Sequence, residues 1–122
     1  TDNSMATTSM KTFTDTPLWN SKNNQRMWKM YLKNATAQQE QIAVPMKNPL
    51  PEVLPPTYIE TAEFDCLHDE AILYAEKIKN RTAELQINET KGTFHGYDML
   101  SSHPISKDSV AKRIAFMKKW MD

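Results

Sequence analysis

The chain has 122 residues, enough for one small domain, and 39% of them are hydrophobic. Its 15 Lys and Arg balance its 15 Asp and Glu, so charge gives no reason to expect nucleic acid or an anionic membrane as a partner. No apolar run approaches the roughly 20 residues of a membrane-spanning helix. One cysteine, Cys66, excludes an internal disulfide and fits a reducing, cytoplasmic compartment.

Glycine is scarce, with only Gly92 and Gly96 in the whole chain. A nucleophile elbow needs glycines beside its serine, because the strand-to-helix turn leaves no room for Cβ atoms. Phosphate-binding and oxyanion loops also need several glycines. The sequence therefore contains no nucleophile elbow, no P-loop and no dinucleotide fingerprint, and none of its serines can be an elbow nucleophile.

Residues 1–56 are predicted to form a loop, a helix and a proline-rich connector. Residues 1–17 are polar and lack periodicity, which predicts a loop, whereas Asn20 is a plausible N-cap for the helix that follows. Five of the seven prolines fall in residues 35–56 and make long regular structure there improbable. An apolar stripe on the helix is predicted to pack against the rest of the protein; it comprises Met27, Trp28, Tyr31 and Leu32.

Residues 57–122 show a strand–helix–strand–helix pattern. The predicted elements are a strand over 57–63, a helix over 67–81, a strand over 83–89 and a helix from Ser106 to Met121. This order implies a right-handed crossover and parallel pairing. Two parallel strands cannot cover both their faces and their edges, so the unit is expected to dock on something larger. The final helix is predicted to bury Val110, Ile114, Met117 and Met121.

Two residues at the ends of the predicted strands carry potential chemistry. Asp65 follows the first strand and His95 the second, and reactive groups of open α/β sheets gather at the carboxyl ends of strands. A carboxylate there can accept the imidazole Nδ1–H and leave Nε2 free for proton transfer with a serine. The alternative is an aspartate that caps the following helix and an unrelated loop histidine, and spacing alone leaves both open.

Other candidate sites in the sequence are weaker. Cys66 could act as a nucleophile, but it begins a helix directly behind Asp65 and is better interpreted as an inert thiol. Three histidines (His68, His95 and His103) lack the close paired spacing of zinc ligands. His103 is expected to be a solvated loop residue. Tyr97 either lines the site beside His95 or packs.

The amino-acid sequence around Asp65 and His95 resembles that of the α/β-hydrolase fold-3 esterases, the hormone-sensitive-lipase-like group. The segment EFDCLHDE is similar to that family's D-P-L-x-D-E pattern, and HGY is similar to its histidine motif. The segment FTDTPLWNSKNNQRMWKMYL also resembles the family, so the likeness runs from Ser9 onward. The residues in register with the acidic motif are Leu67, Asp69 and Glu70; the departures from it are Cys66, His68 and Ala71.

The resemblance implies an α/β fold: the C-terminal part of an α/β hydrolase, with its last two parallel strands, flanking helices and a cap-proximal segment (1–56). It implies a serine carboxylic-ester hydrolase for short acyl esters, in which Asp65 orients and His95 acts as base and then acid. The serine and oxyanion donors would lie upstream, so the chain alone is expected to be inactive. No metal or organic cofactor is required. Expected partners are a small-molecule ester and the N-terminal hydrolase segment, and the resemblance makes a dimer with a second copy, through the terminal strand or helix, an open alternative.

A different class of function stays open. A truncated hydrolase-like domain could serve as a non-catalytic interaction module, with its exposed sheet edge binding a partner.

Overall fold

The computed structural model describes residues 1–121. The elements are α1 (Thr8–Thr12), α2 (Ser21–Tyr31), α3 (Ala37–Ala43), β1 (Thr57–Ala62), α4 (His68–Ile78), β2 (Leu85–Thr90), a 3₁₀ turn (Tyr97–Met99) and α5 (Pro104–Lys118). The predicted strand–helix–strand–helix order after residue 56 is confirmed. No helix within the described range combines the length and apolar character needed to cross a bilayer.

The two strands form a parallel pair, as predicted. Thr57 lies opposite Leu85 at one end and Ala62 opposite Thr90 at the other, so both strands finish at the same edge. Within residues 1–121 the sheet has no third strand, which leaves one hydrogen-bonding edge of each strand open. The sheet is therefore incomplete on both sides.

The prediction of a loop over residues 1–17 is wrong at α1, where the chain forms a short helix. Thr7 caps this short helix by accepting a hydrogen bond from the Met10 amide. Ser9 is buried against α4, where its amide donates to an Asp69 carboxylate oxygen (2.8 Å) and its hydroxyl donates to the Cys66 carbonyl (2.9 Å). Because these contacts are made with residues far along the chain, local periodicity does not show them.

The helix α2 begins as predicted. The Asn20 side chain accepts a hydrogen bond from the Asn23 amide at 3.1 Å and so caps the first turn. The apolar stripe is only partly covered. Trp28 is half-buried, whereas Tyr31 keeps 64% of its surface exposed.

The proline-rich connector contains one short helix, α3, and is tied to α4 by a lysine. A capping box starts α3: the Thr36 hydroxyl accepts from the Gln39 amide, and the Gln39 side chain accepts from the Thr36 amide. The Lys77 ammonium donates to three backbone carbonyls of the connector, at Pro45, Met46 and Asn48, over 2.8–2.9 Å. This charged group ties the connector to α4.

The prediction that α5 buries an apolar face is wrong. Val110, Ile114, Met117 and Met121 are 41–77% exposed, whereas the helix buries Ser106, Ser109 and Phe116. The helix lies over polar side chains from the sheet, so hydroxyl groups rather than methyl groups face inward. The helix also begins earlier than the predicted start at Ser106, because His103 caps it through Nδ1 and Pro104 occupies its first turn. Ser106 donates instead to the Tyr97 carbonyl.

The lysine anchor gives a stability prediction. Lys77→Met keeps the aliphatic stem but removes the ammonium that serves three carbonyls, and we expect a loss of about 1–3 kcal/mol of unfolding free energy. Lys79→Met is the matched control, because among the described residues Lys79 forms an ion pair only with the exposed Glu76. This substitution should lower the free energy of unfolding by less than about 0.5 kcal/mol. Urea unfolding measures both. Equal midpoints for the two variants would contradict the anchoring role.

Candidate active site

Asp65 sits in a tight turn directly after β1. Its amide donates to the Ala62 carbonyl (3.3 Å), and one carboxylate oxygen, Oδ1, accepts from the Leu67 amide (2.9 Å) at the start of α4. The residue is 6% exposed. The turn thus holds a buried carboxylate at the carboxyl end of the strand, with one oxygen already committed to the helix.

His95 lies on a loop that hydrogen bonds fasten to the end of the sheet. Phe64 donates its amide to the Thr93 carbonyl (2.8 Å), and the Gly92 amide donates to a Glu63 carboxylate oxygen (2.7 Å). Gly92 and Gly96 flank this loop with φ of 67° and 77°, a left-handed backbone that favours glycine. Both glycines of the chain therefore serve the turn that presents His95.

The two side chains meet. His95 Nδ1 lies 2.8 Å from Asp65 Oδ2, with 42% of the histidine side chain exposed and 9% of the aspartate side chain. This hydrogen bond raises the pKa of His95, against an opposing effect of burial. Asp65 uses both oxygens, since Oδ1 accepts from the amide of Leu67, the N-cap residue of α4, while Oδ2 holds the imidazole. Nε2 faces away from Asp65 and is available for proton transfer.

Two residues beside His95 were missed by sequence reasoning. The Trp19 indole lies with its ring centroid 6.1 Å from that of the imidazole. Leu18 adopts a left-handed backbone (φ 62°), and its Cδ1 would stand 3.1 Å from a Cβ placed on Gly96. The available signal was a pair of large apolar residues interrupting a polar stretch. They form one wall beside the histidine.

An open cleft of about 500 Å³ runs along β1 to the pair. Its lining includes the β1 residues Tyr58, Glu60 and Ala62 and the α4 residue Tyr74. The side chains of Asp65 and His95 line the same cleft. The site is thus accessible from the side on which the sheet is incomplete.

The weaker candidates do not form sites. Cys66 is fully buried, and burial together with the neighbouring Asp65 charge raises the pKa of its thiol to about 12, which suits the inert interpretation. In the described part of the chain, no three His, Cys, Asp or Glu side chains are grouped as metal ligands. His103 is an exposed helix cap. Tyr97 does both: it lines the cleft beside His95, and its hydroxyl lies between Glu60 and Ser109.

Comparison with known proteins establishes the family. Residues 1–99 match the sequence model of a family described as having the alpha/beta hydrolase fold. The chain belongs to this family, and the resemblance stated from its motifs is confirmed.

Solved structures similar to the chain are esterases. A bacterial heroin esterase is 31% identical with a TM-score of 0.86, over 97% of this chain and 39% of that one. A thermostable esterase from Pseudomonas putida ECU1011 is 30% identical with a TM-score of 0.80, over 92% of this chain and 37% of that one.

Among curated proteins, neutral cholesterol ester hydrolase 1 of Pongo abelii is 32% identical over 72 residues, which cover 58% of this chain and 17% of the relative. The chain therefore spans only part of the proteins it resembles.

The Asp65–His95 bond predicts a change in pKa. Asp65→Asn removes the negative partner, so we expect the pKa of His95 to fall toward that of a free imidazole. Because the bond raises the pKa in the folded state, the stability it contributes is full below about pH 6.5 and is lost as pH rises through the raised value. The stability deficit of the variant should therefore shrink from pH 5.5 to pH 9. NMR titration of His95 measures the first effect and urea unfolding the second. An unchanged titration midpoint would contradict the assignment.

Proposed function

We propose that this chain supplies the acid and the histidine of a Ser–His–Asp triad in a carboxylic-ester hydrolase, whose serine lies in a segment outside residues 1–122. The observation that carries the proposal is the 2.8 Å contact between His95 Nδ1 and Asp65 Oδ2 at the carboxyl ends of two parallel strands. Membership of the α/β-hydrolase family and the esterase neighbours support the reaction class.

In the proposed mechanism Asp65 fixes the imidazole with its proton on Nδ1. His95 Nε2 takes the serine hydroxyl proton while Oγ bonds to the ester carbonyl carbon, and the imidazolium is stabilised by the buried carboxylate. The C–O bond to the alcohol then breaks, and His95 returns the proton to the leaving oxygen. Water repeats the sequence to release the acid and restore the serine.

The serines of this chain are unsuited to the nucleophile role. Three of them are buried and bonded elsewhere: Ser9 to the Cys66 carbonyl, Ser106 to the Tyr97 carbonyl, and Ser109 to Tyr97 and Asn88. No glycine pair flanks any serine as an elbow requires. The nucleophile is therefore proposed to come from another segment.

We propose that this segment pairs with the open edge of β1. Strand residues on this edge line the cleft that also contains Asp65 and His95. A further parallel strand on this edge would complete backbone hydrogen bonds and would deliver groups from its own carboxyl end beside the histidine. The substrate proposed from the resemblance is a small ester with a short acyl chain, with no metal or organic cofactor.

The test uses the proposed full polypeptide, in which this chain is combined with the N-terminal segment that carries the serine. His95→Ala should lower kcat for p-nitrophenyl acetate by roughly 10³-fold or more, and Asp65→Asn by a comparable factor. His103→Ala is the control, because this histidine caps α5 away from the pair. The 122-residue chain alone should be inactive. Activity of that chain lost in His95→Ala would contradict an external serine.

A fluorophosphonate probe separates the esterase from an interaction module that uses the open β1 edge. Labelling of one serine outside residues 1–122, abolished in His95→Ala, supports the triad. An unlabelled full polypeptide, with its fold verified by circular dichroism, would favour the module.

A further inference from the structure

A polar cluster lies between the sheet and α5 and lines the same cleft as Asp65 and His95. Its centre is Arg113, whose Nη1 donates to Asp98 Oδ2 at 2.9 Å. The same guanidinium donates from Nε to Glu60 Oε2 at 3.1 Å, and from Nη2 to Glu60 Oε1. One α5 side chain thus joins the middle of β1 to the turn that follows His95.

Glu60 is an unusual residue for the middle of a parallel strand. Its side chain is 13% exposed, and burial alone would raise the pKa of its carboxyl group. Hydrogen bonds from Arg113, Tyr97 and Asn88 outweigh burial and lower that pKa to about 2. The carboxylate is therefore ionised throughout the neutral range and holds the guanidinium in place.

The cluster reaches His95 through the backbone. Asp98 and Tyr97 both belong to the 3₁₀ turn, which is closed by hydrogen bonds from the Tyr97 amide to Phe94 O (3.1 Å) and from the Met99 amide to Gly96 O (3.0 Å). The Tyr97 hydroxyl contacts Glu60 Oε1 at 2.7 Å. Tyr97 thus bonds the Glu60 carboxylate directly, and the next turn residue, Asp98, is linked to the same carboxylate through Arg113.

We propose that Arg113, held by Glu60, is a positioning residue for His95: it fixes the turn from Tyr97 to Met99 and pairs with the Asp98 carboxylate, which weakens the effect of that charge on the imidazole. The proposal rests on the triad proposed above. It assigns no contact with substrate to Arg113.

The charged groups around His95 make the idea measurable. The turn before α4 contributes Asp65, the 3₁₀ turn contributes Asp98, and α5 contributes Arg113, whereas the N-terminal segment contributes the uncharged Trp19. Both carboxylates raise the pKa of His95, with the Asp65 hydrogen bond as the largest cause. Without the guanidinium, the Asp98 charge is unpaired and should raise the pKa of His95 further.

The experiment compares variants of the full polypeptide by their pH profiles. In Arg113→Met we expect kcat to fall about tenfold to a hundredfold with a nearly unchanged KM, because a small misplacement of the base affects the chemical step. The acid limb of kcat/KM should move to higher pH. Adding Asp98→Asn should return that limb toward its original position, and Arg113→Lys should restore part of kcat.

Lys112→Met is the matched control. Lys112 is adjacent on α5 and contacts Asn88 Oδ1 (3.2 Å) and Asp108 (2.7 Å), so the same charge is lost without touching the turn. Its kcat and acid limb should remain as in the parent. Fluorophosphonate titration gives the fraction of competent sites, so that kcat is expressed per folded molecule.

The inference would be overturned if Arg113→Met, with kcat expressed per titrated active site, had the same kcat and the same acid limb of kcat/KM as Lys112→Met. If Arg113→Met does not fold, Asp98→Asn tests the same coupling. The acid limb of its kcat/KM profile should move to lower pH, and an unchanged acid limb would refute the coupling between Asp98 and His95. Full activity in His95→Ala would instead refute the proposed triad itself. An inactive His95→Ala beside a normal Arg113→Met would refute only this inference.

Discussion

The parallel register of β1 with β2 is the constraint on which the site depends. Because Ala62 pairs with Thr90 at the last position, both chains leave the sheet at the same edge. Two further backbone bonds, from Glu63 to Thr90 and from Phe64 to Thr93, continue the pairing into the loops. Asp65 and His95 then face each other within a few residues. A slip of one residue would turn the side chains of one strand to the opposite face and separate the pair.

The Asp65 carboxylate makes one contact with each of two elements. Oδ1 accepts from the Leu67 amide at the start of α4, and this contact fixes the direction of Oδ2 toward the imidazole. The histidine turn is held from the other side by Arg113, a group 53 residues from its strand partner Glu60. His95 is thus restrained at its ring and at its backbone by separate contacts. Such restraint is what a general base requires, since it must meet its proton donor in one geometry.

The strands were predictable because runs of β-forming residues and a crossover helix are local features. Spacing alone left the contact between Asp65 and His95 open, and the resemblance to the esterase motifs favoured it. The buried face of α5 was not predictable in the same way. Periodicity assumes that apolar residues point inward, whereas this helix turns Ser106 and Ser109 toward a polar strand face. The signal that could have shown this was Glu60, a charge in the middle of a strand. The capping pair of Thr36 and Gln39 likewise marked α3 within a connector predicted to be irregular.

The central claim is that His95 and Asp65 form part of a triad completed by a serine outside residues 1–122. The most direct measurement is a crystal structure of the full polypeptide, unmodified at its active site. We expect a serine Oγ roughly 3 Å from His95 Nε2, on a strand-to-helix turn beside the open edge of β1. A serine held by a different histidine, with Nε2 of His95 facing only solvent, would contradict it.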